Sequence, residues 1–104
     1  MIVTSIPEVP GKKIIKVLGI AQGSTVRSKH LGRDIAAGFK SVVGGELKGY
    51  TEMLRESREE SYNRMVNNAI DMGADAVVNI RFVTSAVSKQ ASELMVYGTA
   101  VKLG

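Results

Sequence analysis

The stretch from residue 50 to residue 83 constrains the fold most strongly, because it combines a long helix, a glycine and an apolar strand. One stripe at helical spacing is made of Leu54, Ser61, Met65, Ala69 and Met72. Gly73 fits the position just beyond a helix, where a left-handed backbone is common. Residues 76–83 (AVVNIRFV) follow as a strand, and Ala76, Val78, Ile80 and Phe82 are expected to face the helix. This unit predicts a helix packed on a sheet.

Two more full strands and a short edge strand are predicted around this unit. Residues 13–22 (KIIKVLGIAQ) and 93–103 are largely apolar on both faces, and Gly19 indicates a bulge. Residues 1–6 are β-prone and are closed by proline, so they suit a sheet edge in this subunit or in a neighbouring one. Since neither face of the full strands is clearly polar, we expect the face away from the helices to be covered by this chain or by another subunit, and its apolar character favours a subunit interface.

A first helix is predicted over residues 31–43, where Ile35 and Phe39 share an apolar face and Gly44 and Gly45 end the helix. The polar stretches 23–30, 46–49 and 84–92 are interpreted as connectors. The fold class is therefore α+β with two layers. It has a mainly antiparallel sheet of about three main strands, two helices on one face and the order ββααββ. Residues 1–104 are expected to form a single domain.

The composition of the 104-residue chain excludes several kinds of site. The absence of cysteine removes disulfides, thiolate metal sites and cysteine nucleophiles. No secretory signal is visible, and no apolar run approaches the roughly 20 residues of a membrane helix, so a soluble cytoplasmic protein is expected. The net charge is +4, and the basic excess is spread along the first half of the chain as single residues without a long basic run, so specific nucleic-acid binding is not predicted.

His30 is the single imidazole of the chain and is the candidate metal ligand. The methionines lie at apolar positions that indicate core packing rather than metal binding. His30, Asp34 and a neighbouring serine match no nucleophile motif in order or spacing. We therefore predict no catalytic residues and do not expect an enzyme, and no pattern identifies a cofactor.

The loop before the long helix is the candidate ligand site. Gly44, Gly45 and Lys48 precede a helix start, where free N–H groups attract anions, and Tyr50 opens the helix. The loop lacks the spacing of a P-loop. A helix cap and linker is one interpretation, and a site for a small anionic ligand between subunits is the other.

Several motifs occur in order along nearly the whole chain. They are Arg33 with Asp34, Val43 with Gly44 and Gly45, Tyr50 with Leu54, residues 73–78 (GADAVV) and residues 98–101 (GTAV). This set resembles the YbjQ-like family of small bacterial and archaeal proteins. The resemblance implies a fold similar to the dodecin subunit, a ring-like pentamer built with short extra strands, and a heavy-metal-binding label without an established biochemical role. Relatives often carry acidic residues in the strand after the long helix, where this chain has Arg81.

The sequence and the resemblance together predict a homo-oligomer, a pentamer, that binds a metal ion or a small ligand between subunits. Arg33 and Asp34 are interpreted as an inter-subunit contact or a structural ion pair. The alternative is a purely structural or regulatory assembly without a ligand. The sequence does not identify the ligand, and it indicates no partner other than a second copy of the chain.

Overall fold

A mixed four-stranded sheet with one described helix across it forms the body of the protein. The computed structural model describes residues 1–28, 42–43 and 46–104. The elements are β1 Ile2–Val3, β2 Ile14–Ser28, β3 Val42–Val43, β4 Glu46–Leu47, α1 Lys48–Asp71, β5 Ala76–Ser88 and β6 Ala91–Leu103. The main sheet has the order β1-β5-β6-β2, in which β1 runs parallel to β5 and the other pairs are antiparallel.

The predicted order ββααββ is wrong, because the main sheet and the described helix follow the order ββαββ. The sheet has four strands rather than about three, and β1 makes it mixed. Val42 and Val43, predicted to end a first helix, instead pair with residues 46–47, which were predicted to be a connector. Consecutive β-branched residues favour a strand over a helix end. The rest of that predicted helix lies outside the described residues.

The strands are longer than the sequence indicates. β2 continues to Ser28 and β5 to Ser88, through stretches whose serines and threonines are typical of loops. Both strands pair antiparallel with β6 out to Ala91, with register shifts in β5 after Val78 and after Ala86. The ladder hydrogen bonds of this long hairpin therefore override the local composition.

The end of α1 is built as predicted. Gly73 has a φ of +82°, and its N–H donates to the carbonyl of Ile70 over 2.9 Å. The N–H of Ala74 donates to the carbonyl of Ala69 over 3.1 Å. These two bonds form a Schellman motif, which satisfies the last helical carbonyls and turns the chain into β5. The described helix is not long and apolar enough to cross a membrane.

The helix packs on β2 and β6 through small side chains. Ser57, Ser61, Met65 and Ala69 form one buried row at a spacing of four residues. Gly23 on β2 lies under this row, because a Cβ at that position would stand 2.3 Å from both the Met65 nitrogen and the Ser61 carbonyl oxygen. Leu54, predicted to belong to the apolar row, is 44% exposed.

The opposite sheet face is partly covered by the N-terminal segment, residues 4–11. Val9 is buried there with Ala76, Val78 and Val101 in a second apolar cluster. The segment is held by backbone bonds from Asn79 to Ile6 and from Ile80 to Thr4. The sequence left open whether this chain or another subunit covers this face, and at this end of the sheet the chain covers itself.

Asp75, at the joint between α1 and β5, makes the stability of the fold sensitive to acid. Its carboxylate accepts the N–H of Leu103 over 2.9 Å and lies 3.6 Å from the ammonium of Lys102. The backbone hydrogen bond, followed by the attraction of Lys102, lowers the pKa of Asp75 below its ordinary value of 3.8. Its contribution to stability is therefore complete above that value and is lost as the pH falls through the lowered folded value.

We expect the Asp75→Asn variant to show a weaker acid dependence than the wild type. Melting temperatures of the two proteins are compared at about pH 6 and at about pH 2. The difference between them should be largest at the higher pH and should shrink in acid. Parallel melting curves across this range would show that Asp75 does not contribute through its charge.

Candidate functional site

A cavity of about 290 Å³ opens on the sheet face away from the helix. It is lined by Ile20, Asn79, Arg81, Tyr97, Gly98 and Thr99. These residues come from β2, β5 and β6, the three long neighbouring strands of the main sheet. The cavity therefore has a rigid floor of paired strands and a wall that mixes one aliphatic chain with hydroxyl, amide and guanidinium groups.

A β-bulge in β5 shapes this cavity. The register with β6 shifts between Val78, which faces Thr99, and Arg81, which faces Tyr97. Asn79 in the bulge has a φ of +59° and is the one non-glycine residue of the described chain with positive φ. Asparagine tolerates this left-handed conformation better than most residues. Bulges of this kind re-aim side chains, and here the shift sets Arg81 beside Tyr97.

The bulge also exchanges the two faces of β5. Val77 belongs to the cluster under the helix, and Ile80, three residues later, packs against the same cluster. In a regular strand these two residues would lie on opposite faces. The predicted alternation is therefore wrong before the bulge, since Ala76 and Val78 pack under Val9.

Arg81 is the charged group of the cavity. Its Nη1 atom donates to the carbonyl of Ser5 over 3.0 Å and to the carbonyl of Ile80 over 2.7 Å. Among the described residues its guanidinium takes part in no ion pair. Because Nη1 carries two hydrogens, these contacts leave the N–H donors of Nε and Nη2 for another partner. The guanidinium is thus held in place without being neutralised.

The polar groups between α1 and β2 form a second cluster, which is internally satisfied. Arg27 donates to Glu60 over 2.8 Å and to the Ser57 hydroxyl over 3.1 Å, and Arg64 also contacts Glu60. The Ser61 hydroxyl lies 2.8 Å from that of Thr25 and 2.9 Å from the Leu94 carbonyl oxygen. Since these donors and acceptors bind one another, this cluster positions the helix on the sheet.

A groove of about 370 Å³ lies beside α1, lined by Arg58, Glu59, Tyr62, Asn63 and Phe82. It carries charges of both signs next to each other. This makes it less selective for an ionic ligand than the cavity at Arg81.

Most of the site residues predicted from the sequence lie outside the described residues. These are His30, Arg33, Asp34, Gly44 and Gly45. Lys48 is the first residue of α1, and Tyr50, two residues later, is half-buried. Neither lines the cavity at Arg81. The residues that do line it were missed because they come from separate strands, although an asparagine and an arginine inside an apolar strand were a visible signal.

The described residues do not provide a heavy-metal site. They contain no group of three or more His, Cys, Asp or Glu side chains placed to hold a metal ion. The whole sequence has no cysteine and one histidine, whereas soft metals prefer thiolate and imidazole ligands. Met65 is fully buried in the apolar cluster under the helix, which leaves it no role as a ligand.

Comparisons with known proteins identify the family. A family model described as "Putative heavy-metal-binding" matches residues 1–104. A UPF0145 protein of Hahella chejuensis is 59% identical over 101 residues, which is 97% of each chain. One from Methanoculleus marisnigri is 60% identical over 103 residues, covering 99% of this chain and 96% of its own. None of these names states an enzymatic activity.

A solved structure supports the fold alone. A protein of unknown function of the DUF74 family from Pediococcus pentosaceus superposes with a TM-score of 0.66. The match covers 100% of this chain and 98% of that one at 13% identity. The resemblance of the ordered motifs is confirmed by the family match over the full length, and the chain belongs to the YbjQ family of UPF0145 proteins.

Proposed function

We propose that this protein is a single-domain homo-oligomer that binds a small ligand beside its subunit contacts and does not act as an enzyme. The observation that carries the proposal is a row of exposed apolar side chains on β2. Ile15, Val17, Ile20 and Val26 are between 57% and 69% exposed. Several large apolar side chains exposed along one strand favour an interaction surface. We also propose that the protein is located in the cytoplasm.

The strand edges support a head-to-tail contact. Among the described strands, β2 has β6 on one side and no neighbour on the other. The N-terminal segment makes backbone bonds with β5 as far as Ile80, so residues 81–88 of β5 also have a free edge within the described part of the chain. Unpaired edges of this length favour pairing with another chain. A contact that joins two different edges is heterologous and closes into a ring when the rotation permits.

The pentamer comes from the family resemblance, and Arg33 and Asp34 remain predicted contacts in it. The place of the ligand follows from the cavity at Arg81. Ile20 forms part of its wall and belongs to β2, the strand proposed to meet the next subunit. A second copy along this edge would stand next to the cavity mouth. The site at Gly44, Gly45, Lys48 and Tyr50 and the metal ligand His30 stay predictions.

The Val26→Lys variant tests the assembly. Val26 faces Glu93 across the β2–β6 pair, so a lysine there gains a favourable neighbour within one subunit while placing a charge on the apolar surface. We expect the wild type to be an oligomer and the variant to shift toward the monomer with unchanged circular dichroism. Mass is measured by light scattering at micromolar concentration.

The matched control is Asn67→Lys, which adds the same charge at an exposed position of α1. This variant should keep the mass of the wild type. A folded wild-type monomer would contradict the proposal, as would equal effects of the two variants. An oligomer that binds no ligand would support the alternative of a purely structural assembly.

A further inference from the structure

We infer that the cavity at the Asn79 bulge binds a small oxyanion, a carboxylate or phosphate group, through the guanidinium of Arg81. The inference rests on the ligand-binding part of the proposed function and names its site and ligand class. It requires nothing of the loop at residues 44–50.

The charge of the cavity is positive. Among the described residues that line it, Arg81 is the one cation and none is a carboxylate. The three described ion pairs involve Arg27, Arg64 and Lys102. Within the described part of the chain, the Arg81 guanidinium bonds to the carbonyls of Ser5 and Ile80 instead. Arg81 is exposed, and its guanidinium has no counter-charge among the described residues, so it attracts an anion. The cavity therefore selects against cations and for anions.

The donor geometry fits an oxyanion in particular. The two carbonyls occupy the hydrogens of Nη1, so the remaining edge of the guanidinium presents the N–H of Nε beside an N–H of Nη2. Two parallel donors of this kind match the two oxygens of a carboxylate or phosphate. A halide ion is a single atom, so it cannot present two separate oxygens to the two donors.

Additional hydrogen-bonding groups surround the guanidinium. The hydroxyls of Tyr97 and Thr99 and the carboxamide of Asn79 line the same cavity. Within the described part of the chain these three side chains have no hydrogen-bond partner. Hydroxyl and amide groups donate to phosphate and carboxylate oxygens as readily as they accept, so they complete a polar cradle. The left-handed backbone of Asn79 is a local strain of the kind that accompanies binding sites.

The size of the cavity limits the ligand. Its volume of about 290 Å³ is near the lower end for small-molecule sites. The aliphatic side chain of Ile20 adds one apolar wall. The fitting ligand is therefore a small molecule with one oxyanion group and a short apolar body.

The test uses inorganic phosphate and acetate as separate probes, titrated into the full chain in chloride buffer and followed by backbone amide NMR. We expect saturable shifts at residues around the bulge. Arg81→Gln should weaken binding by about tenfold or more, as loss of a charge-assisted pair does. Because Arg81 also holds the N-terminal segment, Tyr97→Phe serves as a second variant and should weaken binding about threefold. The tighter of the two probes distinguishes a phosphate site from a carboxylate site.

Arg58→Gln is the matched control, since it removes the same charge from the other side of the sheet. Its affinity should stay within about twofold of the wild type. The inference fails if neither probe saturates, or if Arg58→Gln weakens binding as much as Arg81→Gln. Light scattering on the same samples tests the assembly independently of the anion site. An oligomer that binds neither probe overturns the anion site alone. A monomer that binds phosphate at Arg81 overturns the assembly alone.

Discussion

The Gly23→Ala variant is expected to lose about 3 kcal/mol of its free energy of unfolding, near the upper end of the usual range for an overpacked site. The added methyl would stand 2.3 Å from the Met65 nitrogen and from the Ser61 carbonyl oxygen. Both are backbone atoms of α1, so no side chain can rotate away to make room. The helix must move off β2, which also separates the contacts of Ser61 with Thr25 and Leu94. Urea unfolding followed by circular dichroism measures the loss.

Gly73→Ala is the matched control for this prediction. Its φ of +82° favours glycine, but no atom lies within 4 Å of the added Cβ. The expected cost is therefore the backbone term alone, about 1 kcal/mol. If the two variants unfold alike, the close approach of α1 to β2 does not set the stability at Gly23.

The features predicted correctly from the sequence depend on local chemistry. The helix end at Gly73 follows from the conformational freedom of one residue and two backbone bonds. The bulge at Gly19 is confirmed by the register shift after Val17, for the same reason. The short N-terminal strand lies at a sheet edge, as proline after it indicates. In each case the information lies within a few residues.

The features that sequence reasoning missed depend on pairing between distant residues. The polar ends of β2 and β5 become strands because each has β6 beside it. Their serines and threonines alone favour turns. Leu54 was placed in the buried row because its spacing fits, yet the residue is 44% exposed. The packing at the start of α1 is therefore not set by helical periodicity.

The cavity at Arg81 is a clear case of non-local information. Tyr97 and Thr99 share a face by simple alternation, which the sequence predicts. Arg81 joins them only because one extra residue in β5 shifts the register after Val78. Nothing in the apolar run of β5 specifies where the ladder breaks, apart from the asparagine that tolerates the left-handed backbone. The site therefore follows from the bulge and not from a motif.

The N-terminal segment would relate the proposed ligand binding to the proposed assembly. Arg81 holds the carbonyl of Ser5, and Val9 of the same segment covers one end of the sheet face. An oxyanion on the free edge of the guanidinium would fix the side chain that holds this segment. Ile20 of β2 is one of the exposed apolar residues and also lines the cavity. A ligand in the cavity and a subunit on β2 would therefore contact the same sheet.

The Met65→Ala variant is expected to lose about 3 kcal/mol of its free energy of unfolding. Met65 is fully buried and is the largest side chain of the cluster that joins α1 to β2 and β6. Its neighbours in that cluster include Val77 and Val96, which are held by paired strands and cannot collapse into the space left behind. The truncation therefore removes apolar burial and leaves a cavity. Urea unfolding at one fixed protein concentration measures it, because assembly makes apparent stability depend on concentration.

Ile70→Ala is the control on the same helix. Ile70 is 54% exposed, so its truncation should cost under about 1 kcal/mol. Both variants truncate an apolar side chain to the methyl group of alanine. Alanine has a high helix propensity, so neither change should weaken α1 through the backbone. A difference of about 2 kcal/mol between them would locate the stabilising contacts on the row of Met65 and Ala69 rather than in the helix itself. If Ile70→Ala is instead the more damaging change, the outer side of α1 is a contact surface, and the proposed assembly through the sheet edges is wrong.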